Sequence, residues 1–212
     1  FAAWDEPFYA AYLRRSGIDH PLRDRVIASH EGDPAAVAAR CVGPVPGGKP
    51  HFYMKHMPLH MLEDFPLDWA ANCVNVHLIR HPARVVASYA AKREAPVLDD
   101  IGFRQQARVF SQFPGPVIDS ADIRRDPERM LRRLCAAIGL DWDPAILSWP
   151  AGPRAFDGVW AAHWYGAVHR STAFAGPEGP LPVLDGVCRD LVQEAMPFYS
   201  DLQAHAKKFA ET

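Results

Sequence analysis

The run Cys73-Val-Asn-Val-His-Leu-Ile79, followed at once by Arg80-His81-Pro82, constrains this chain more than any other segment. Val74, Val76 and Leu78 alternate with Cys73, Asn75, His77 and Ile79, the period of two that a strand imposes. Pro82 then stands where a helix over Pro82 to Lys92 begins, a position at which its missing N–H leaves no bond unmade. A strand that passes directly into a helix is the unit from which parallel α/β folds are built. The pattern recurs. Phe52-Tyr53-Met54 reads as a short strand bounded by Pro50 and Pro58, and Val117-Ile118 as another after the turn Pro114-Gly115-Pro116. Asp126 to Ile138 reads as a helix with an Asp cap, Pro127 next and Gly139 at its stop, and Met130, Leu131, Leu134, Cys135 and Ile138 form its apolar face. Asp185 to Ala210 reads as a long helix kinked or broken at Pro197. The expected architecture is a three-layer α/β/α fold with a mainly parallel sheet, in one domain spanning 1–212.

Composition narrows the function classes. The 212 residues are 49% apolar and 23% charged, with a formal net charge of −2, so there is no basic excess with which to hold a nucleic acid. No run of eighteen apolar residues is present, and no membrane span is expected. The four cysteines, Cys41, Cys73, Cys135 and Cys188, share no metal-binding or redox spacing and read as reduced, packed thiols of a cytoplasmic protein.

Ligands of parallel sheets bind at the carboxyl ends of the strands. The residues there are Lys55-His56, Arg80-His81 and Asp119-Ser120. Arg80 before a helix start, with Ser88 further along that helix, suits an anion, because a guanidinium fork matches phosphate oxygens beside free backbone N–H groups. The plainer alternative is an arginine paired with a neighbouring carboxylate. Asp5 and Glu6 stand at a strand end just ahead of a helix, where they either cap that helix or orient a substrate or His56. His51, His56 and His60 have no cysteine or carboxylate to complete a metal set, and no metal is expected. The aromatic stretch from Asp157 to Tyr165 reads as core or lid, or as a wall for a ring-bearing ligand. The arginines between 124 and 133 read as a solvated helix face.

The segment Leu78-Ile-Arg80-His-Pro82-Ala-Arg-Val-Val-Ala-Ser88-Tyr89 resembles the 3′-phosphate-binding segment of sulfotransferases that use 3′-phosphoadenosine 5′-phosphosulfate (PAPS). Arginine, proline, serine and the following tyrosine all stand at the family's positions. Lys55-His56-Met57-Pro58-Leu59 is similar to the family's Lys-Thr-His-x-Pro-Leu stretch but one residue shorter, and Asp119 to Pro127 resembles its strand-to-helix segment. The segments Asp5 to Tyr9, Lys55 to Met57 and Ser148 to Pro153 resemble bacterial members of the family.

The resemblance implies a P-loop-type sulfotransferase fold, a PAPS donor that leaves as adenosine 3′,5′-bisphosphate (PAP), and a small hydroxyl or amine acceptor. It implies that Arg80 and Ser88 hold the 3′-phosphate, with Arg170 as a late basic addition. Lys55 would stabilise the sulfuryl oxygens and His56 would take the acceptor proton, with His60 as its rival and Glu6 in support. Phe1 to Trp4 corresponds to the family's second strand, so the first strand and its 5′-phosphosulfate loop are expected upstream of residue 1. A nucleotide-binding module without catalysis and an ATP-dependent P-loop kinase remain alternatives, and homo-oligomerisation is left open.

Overall fold

The computed structural model describes residues 1–92 and 96–211. In chain order the strands and α-helices are β1 (Ala2–Asp5), α1 (Tyr9–Ser16), α2 (Arg23–Ser29), α3 (Pro34–Cys41), β2 (Phe52–Lys55), β3 (His77–Ile79), α4 (Pro82–Ala90), α5 (Leu98–Ile101), α6 (Phe103–Gln112), β4 (Val117–Asp119), α7 (Ser120–Arg125), α8 (Pro127–Ala137), α9 (Ala161–Trp164), α10 (Gly166–Arg170) and α11 (Gly186–Glu211). The protein is α/β and mostly helical, and its strands form two parallel pairs. The chain divides into two compact units, Phe1–Cys73 with Pro150–Thr172 and Val74–Trp149 with Ala173–Thr212.

In the first unit β1 and β2 pair in register from Ala2 opposite Phe52 to Asp5 opposite Lys55. That register sets an acid beside a base at the carboxyl ends of both strands. The chain leaves β1 through Glu6, whose φ of 44° is a left-handed conformation uncommon outside glycine, and whose N–H is held by the Lys55 carbonyl at 2.8 Å. This turn aims the carboxylates toward Lys55. They therefore do not cap α1, which begins after Phe8 without a side-chain cap. Helix α1 buries Tyr9, Ala10, Tyr12 and Leu13 against Val26, Leu59 and Trp160, and the Trp160 side chain is fully enclosed.

In the second unit β3 and β4 pair from His77 opposite Val117 to Ile79 opposite Asp119. The strand expected over Cys73 to Ile79 is shorter than its pattern because its partner cannot continue the ladder. Pro114 and Pro116 lack the N–H groups that residues 73–76 would need, whereas the Pro116 carbonyl accepts from His77 N–H at 2.9 Å. His77 and Ile79 are the buried set, and Leu78 faces outward. Helix α4 stops at Ala90, two residues short of the expected Lys92.

Helix α8 follows its local signals closely. Asp126 accepts from the Arg129 N–H at 3.2 Å and Pro127 opens the helix. Gly139, at a φ of 72°, closes it, with the Leu140 N–H on the Cys135 carbonyl at 2.8 Å and the Gly139 N–H on the Ala136 carbonyl at 3.4 Å. Of the kink or break expected at Pro197, the break is absent: helix α11 continues from Gly186 to Glu211 with the proline inside it. Leu191, Ala195, Tyr199, Leu202 and Ala206 recur at helical spacing and pack with Ile79, Val86, Phe103 and Val117 in one core. Burying five such residues outweighs the one backbone hydrogen bond that a proline removes. The arginines of α8 are not all solvated. Arg129 and Arg133 donate to the Ala210 carbonyl, and Arg133 also to that of Phe209 at 3.0 Å, which sets cations on the negative end of α11.

Gly115 lies against the backbone of residue 75, where an added Cβ would fall 1.9 Å from the Asn75 carbonyl oxygen. Gly115→Ala must push the two segments apart and should cost about 1–3 kcal/mol. Thermal unfolding checks this, with a fall in Tm of roughly 2–4 °C per kcal/mol.

Candidate functional site

Each unit carries one cluster of charged groups at the end of its strand pair. In the first unit the cluster is built on Asp5, Glu6, Lys55 and Tyr165. Lys55 Nζ lies 2.5 Å from Glu6 Oε1, 3.4 Å from Asp5 Oδ1 and 2.6 Å from Tyr165 Oη. The Tyr165 hydroxyl stands 2.8 Å from both Glu6 Oε1 and Asp5 Oδ2, and Trp160 Nε1 donates to Asp5 Oδ2 at 3.1 Å. Both carboxylates are buried, whereas the Lys55 side chain is 36% exposed. A hydroxyl has one proton, so Tyr165 can donate to only one carboxylate at a time. Two buried acids thus share one ammonium and one hydroxyl proton. Burial raises the Glu6 carboxyl above its ordinary range. Lys55 opposes the rise by charge and hydrogen bond, and the Asp5 charge adds to it. The same burial, with the two nearby carboxylates, pushes the Tyr165 hydroxyl far up, so it stays protonated.

The structure thus brings Lys55 and Glu6 together and leaves the histidines around them. His56 packs between Phe8 and Trp69, at ring-centroid distances of 5.9 and 5.0 Å. Among the described residues its Nε2 is buried without a hydrogen bond, and burial pushes its pKa down to about 4. His60 stacks on Tyr9 at 4.2 Å, and its Nδ1 is 3.8 Å from Glu6 Oε2, beyond hydrogen-bond reach. Burial lowers it well below its ordinary value, and the neighbouring His20, Lys55 and His56 act in the same direction. Among the described residues no three His, Cys, Asp or Glu converge as a metal set. Tyr165 is the member that sequence reasoning did not single out. It lay inside the aromatic stretch from Asp157, but nothing local says that its hydroxyl meets Asp5, 160 residues away.

In the second unit Arg80 follows β3 and Arg84 lies in the first turn of α4. Arg80 does not stand free: it donates to Glu178 Oε1 at 2.6 and 3.1 Å. The plainer alternative weighed for it, a carboxylate partner, is what the structure contains. Arg84 and Arg124 meet the same glutamate, and Arg124 is thereby removed from the expected solvated face. Ser88 is exposed on α4, one turn beyond Arg84. Arg170 is exposed at the end of α10 in the other unit.

A family model described as "Sulfotransferase domain" matches residues 1–206. The chain belongs to this sulfotransferase-domain family. Two curated relatives from Arabidopsis thaliana carry names of another kind. Branched-chain-amino-acid aminotransferase-like protein 1 is 32% identical over 208 residues, and branched-chain-amino-acid aminotransferase-like protein 2 is 30% identical over 208 residues. Each match covers 96% of this chain and 37% of the relative, so the chain spans about a third of the length of the proteins it matches. No solved structure matches it. No helix among the described residues is long and apolar enough to cross a membrane.

Two pH-dependent outcomes follow. Lys55→Met leaves Asp5 and Glu6 without the ammonium that contacts both, and should cost roughly 2–4 kcal/mol near neutral pH, with the partial exposure of Lys55 limiting the loss. A carboxyl raised in the folded state contributes stability at low pH and loses it as pH rises through the folded pKa. The variant's deficit in urea-unfolding free energy should therefore grow from pH 5 to pH 8. His56 has the opposite sign. Its folded pKa is depressed from 6.5 to about 4, so stability is present above 6.5 and is lost as pH falls through 4. His56→Phe should flatten that acid limb by at most about 3 kcal/mol.

Proposed function

We propose that this sulfotransferase-family chain transfers a sulfuryl group from PAPS to a small hydroxyl or amine acceptor. The observation that carries the reading is that Lys55 and Glu6, read from sequence as catalytic, lie 2.5 Å apart at the strand ends, in a chain matched by the family model over residues 1–206. The P-loop-type three-layer arrangement over 1–212 belongs to the same proposal and is supported by the parallel pairing in both units.

In this reading the acceptor's O–H or N–H gives its proton to the Glu6 carboxylate. The acceptor's lone pair forms the new bond to sulfur, and the bond from sulfur to the donor's phosphate oxygen breaks with its electron pair, releasing PAP. Lys55 stabilises charge on the sulfuryl oxygens, and its ammonium already has an anionic partner in Glu6. A base must lie in range of neutral pH to work there. The raised Glu6 carboxyl supports assigning this role to Glu6. His56, at about 4 and packed between two rings, is a weak proton acceptor, and we assign it to packing. Tyr165 positions the Glu6 carboxylate through the hydrogen bond at 2.8 Å. Arg80, with Ser88, contributes the 3′-phosphate contacts.

Thermal unfolding with PAP, against ATP–Mg²⁺ as control, tests the donor. At a hundred times its Kd a ligand adds roughly 2.7 kcal/mol, on the order of 5–10 °C for a chain of this size. PAP should shift the transition, and Arg80→Ala should remove the shift. A shift with ATP–Mg²⁺ alone would replace the reading with a kinase. Where PAP binds, Glu6→Gln should lower kcat about 10²- to 10⁴-fold and abolish the rising limb of the kcat–pH profile. PAP binding without any turnover would leave a nucleotide-binding module of the same family.

A further inference from the structure

Three arginines from separate elements of the second unit converge on one carboxylate. Arg80 comes from the end of β3, Arg84 from α4 and Arg124 from α7. Glu178 Oε1 accepts from Arg80 at 2.6 and 3.1 Å and from Arg124 at 2.9 Å, and Oε2 accepts from Arg84 Nε at 2.7 Å. The Glu178 side chain is 5% exposed, although the arginines around it are 41, 16 and 29% exposed. Arg84 also reaches the Gly179 carbonyl, and Arg124 Nε the Gly176 carbonyl at 2.9 Å.

The loop that carries Glu178 is Ala175-Gly-Pro-Glu-Gly-Pro-Leu-Pro182, and residues 175–177 and 179–181 are all exposed. Ionic contacts and hydrogen bonds hold this loop, and little apolar surface is lost by lifting it away. The charges do not balance. Three guanidinium groups face one carboxylate, and the donor pattern, with forks arriving from three elements, suits a tetrahedral dianion with three terminal oxygens better than a planar monoanion. Burial alone would raise the Glu178 carboxyl. The Arg80 hydrogen bonds and the charges of all three arginines outweigh it and hold the group below its usual range, so it stays an anion.

We propose that Glu178 occupies, as an internal stand-in, the anion site at Arg80, which Arg84 and Arg124 complete, and that a ligand's phosphate displaces it. Naming the ligand as the 3′-phosphate of the sulfuryl donor rests on the proposed function, whereas the phosphate class rests on the arginines alone. Ser88, four residues after Arg84 on α4, then has a phosphate to meet, and the donor must lift the 175–182 loop to enter.

Calorimetric titration of the wild-type protein and Glu178→Gln with PAP, and separately with inorganic phosphate, at one fixed low ionic strength, tests this. The amide keeps the shape of the side chain and removes its charge. Glu178→Gln should bind both probes roughly tenfold more tightly than wild type, the scale of close charge pairs. Arg124→Gln, with Arg80 intact, should bind both more weakly. Equal or weaker PAP binding by Glu178→Gln overturns the stand-in while leaving the donor reading in place. Tighter phosphate binding with no PAP binding upholds the site and removes the nucleotide donor from the proposed function. Arg124→Gln binding as wild type does would overturn the three-arginine site.

Discussion

Charge buried at the ends of parallel strands is the constraint around which this protein is arranged. A carboxylate taken out of water costs several kcal/mol unless cations and donors surround it. Among those taken out here are Asp5 and Glu6 beside Lys55, Glu178 among three arginines, and Asp119 at the end of β4. Asp119 is served differently from the others. Its Oδ1 caps α7 through the Ala121 N–H at 2.8 Å and its Oδ2 accepts from the buried Tyr199 hydroxyl at 2.6 Å, so it is satisfied within the frame of the unit. Asp5 and Glu6 are met by an ammonium, and Glu178 by guanidinium groups, that stay partly exposed to solvent. That difference separates charge satisfied inside the frame from charge whose partners water still reaches.

Helix α11 shows how the frame is made. Its apolar face closes the core of the second unit, its Tyr199 reaches Asp119, and its last carbonyls take Arg129 and Arg133. One helix thus ties the apolar packing to the strand end and to α8. Pro197 is tolerated inside it because these contacts lie on both sides of the proline.

The features legible in the sequence were those set by neighbours in the chain. Pro82, Asp126 and Gly139 act over one helical turn, and the helices that they bound appear where the residues indicate. Lys55, Arg80 and Glu6 were legible as strand-end residues for the same reason. What could not be read is pairing across long separations. Arg80 meets Glu178, 98 residues on, and Trp160 meets Asp5, 155 residues back, and no periodicity encodes either partner. Two departures had a local cause that the pattern of the strand itself concealed. The β3 run looked long because its own residues alternate, but its length is set by Pro114 and Pro116 in the partner. Asp5 and Glu6 looked like helix caps, but a left-handed turn at Glu6 carries them toward β2.

The single proton of Tyr165 has a consequence for how this region can vary. Asp5, Glu6, Lys55 and Tyr165 satisfy one another through shared atoms, so the cost of changing one depends on the state of the other three. Replacing the lysine is harmful while both acids remain, and much less so once one of them is neutral. Such a set drifts as a unit. Across relatives these four positions should co-vary as a block, with single departures rare and compensated pairs tolerated, even where the surrounding helices diverge freely.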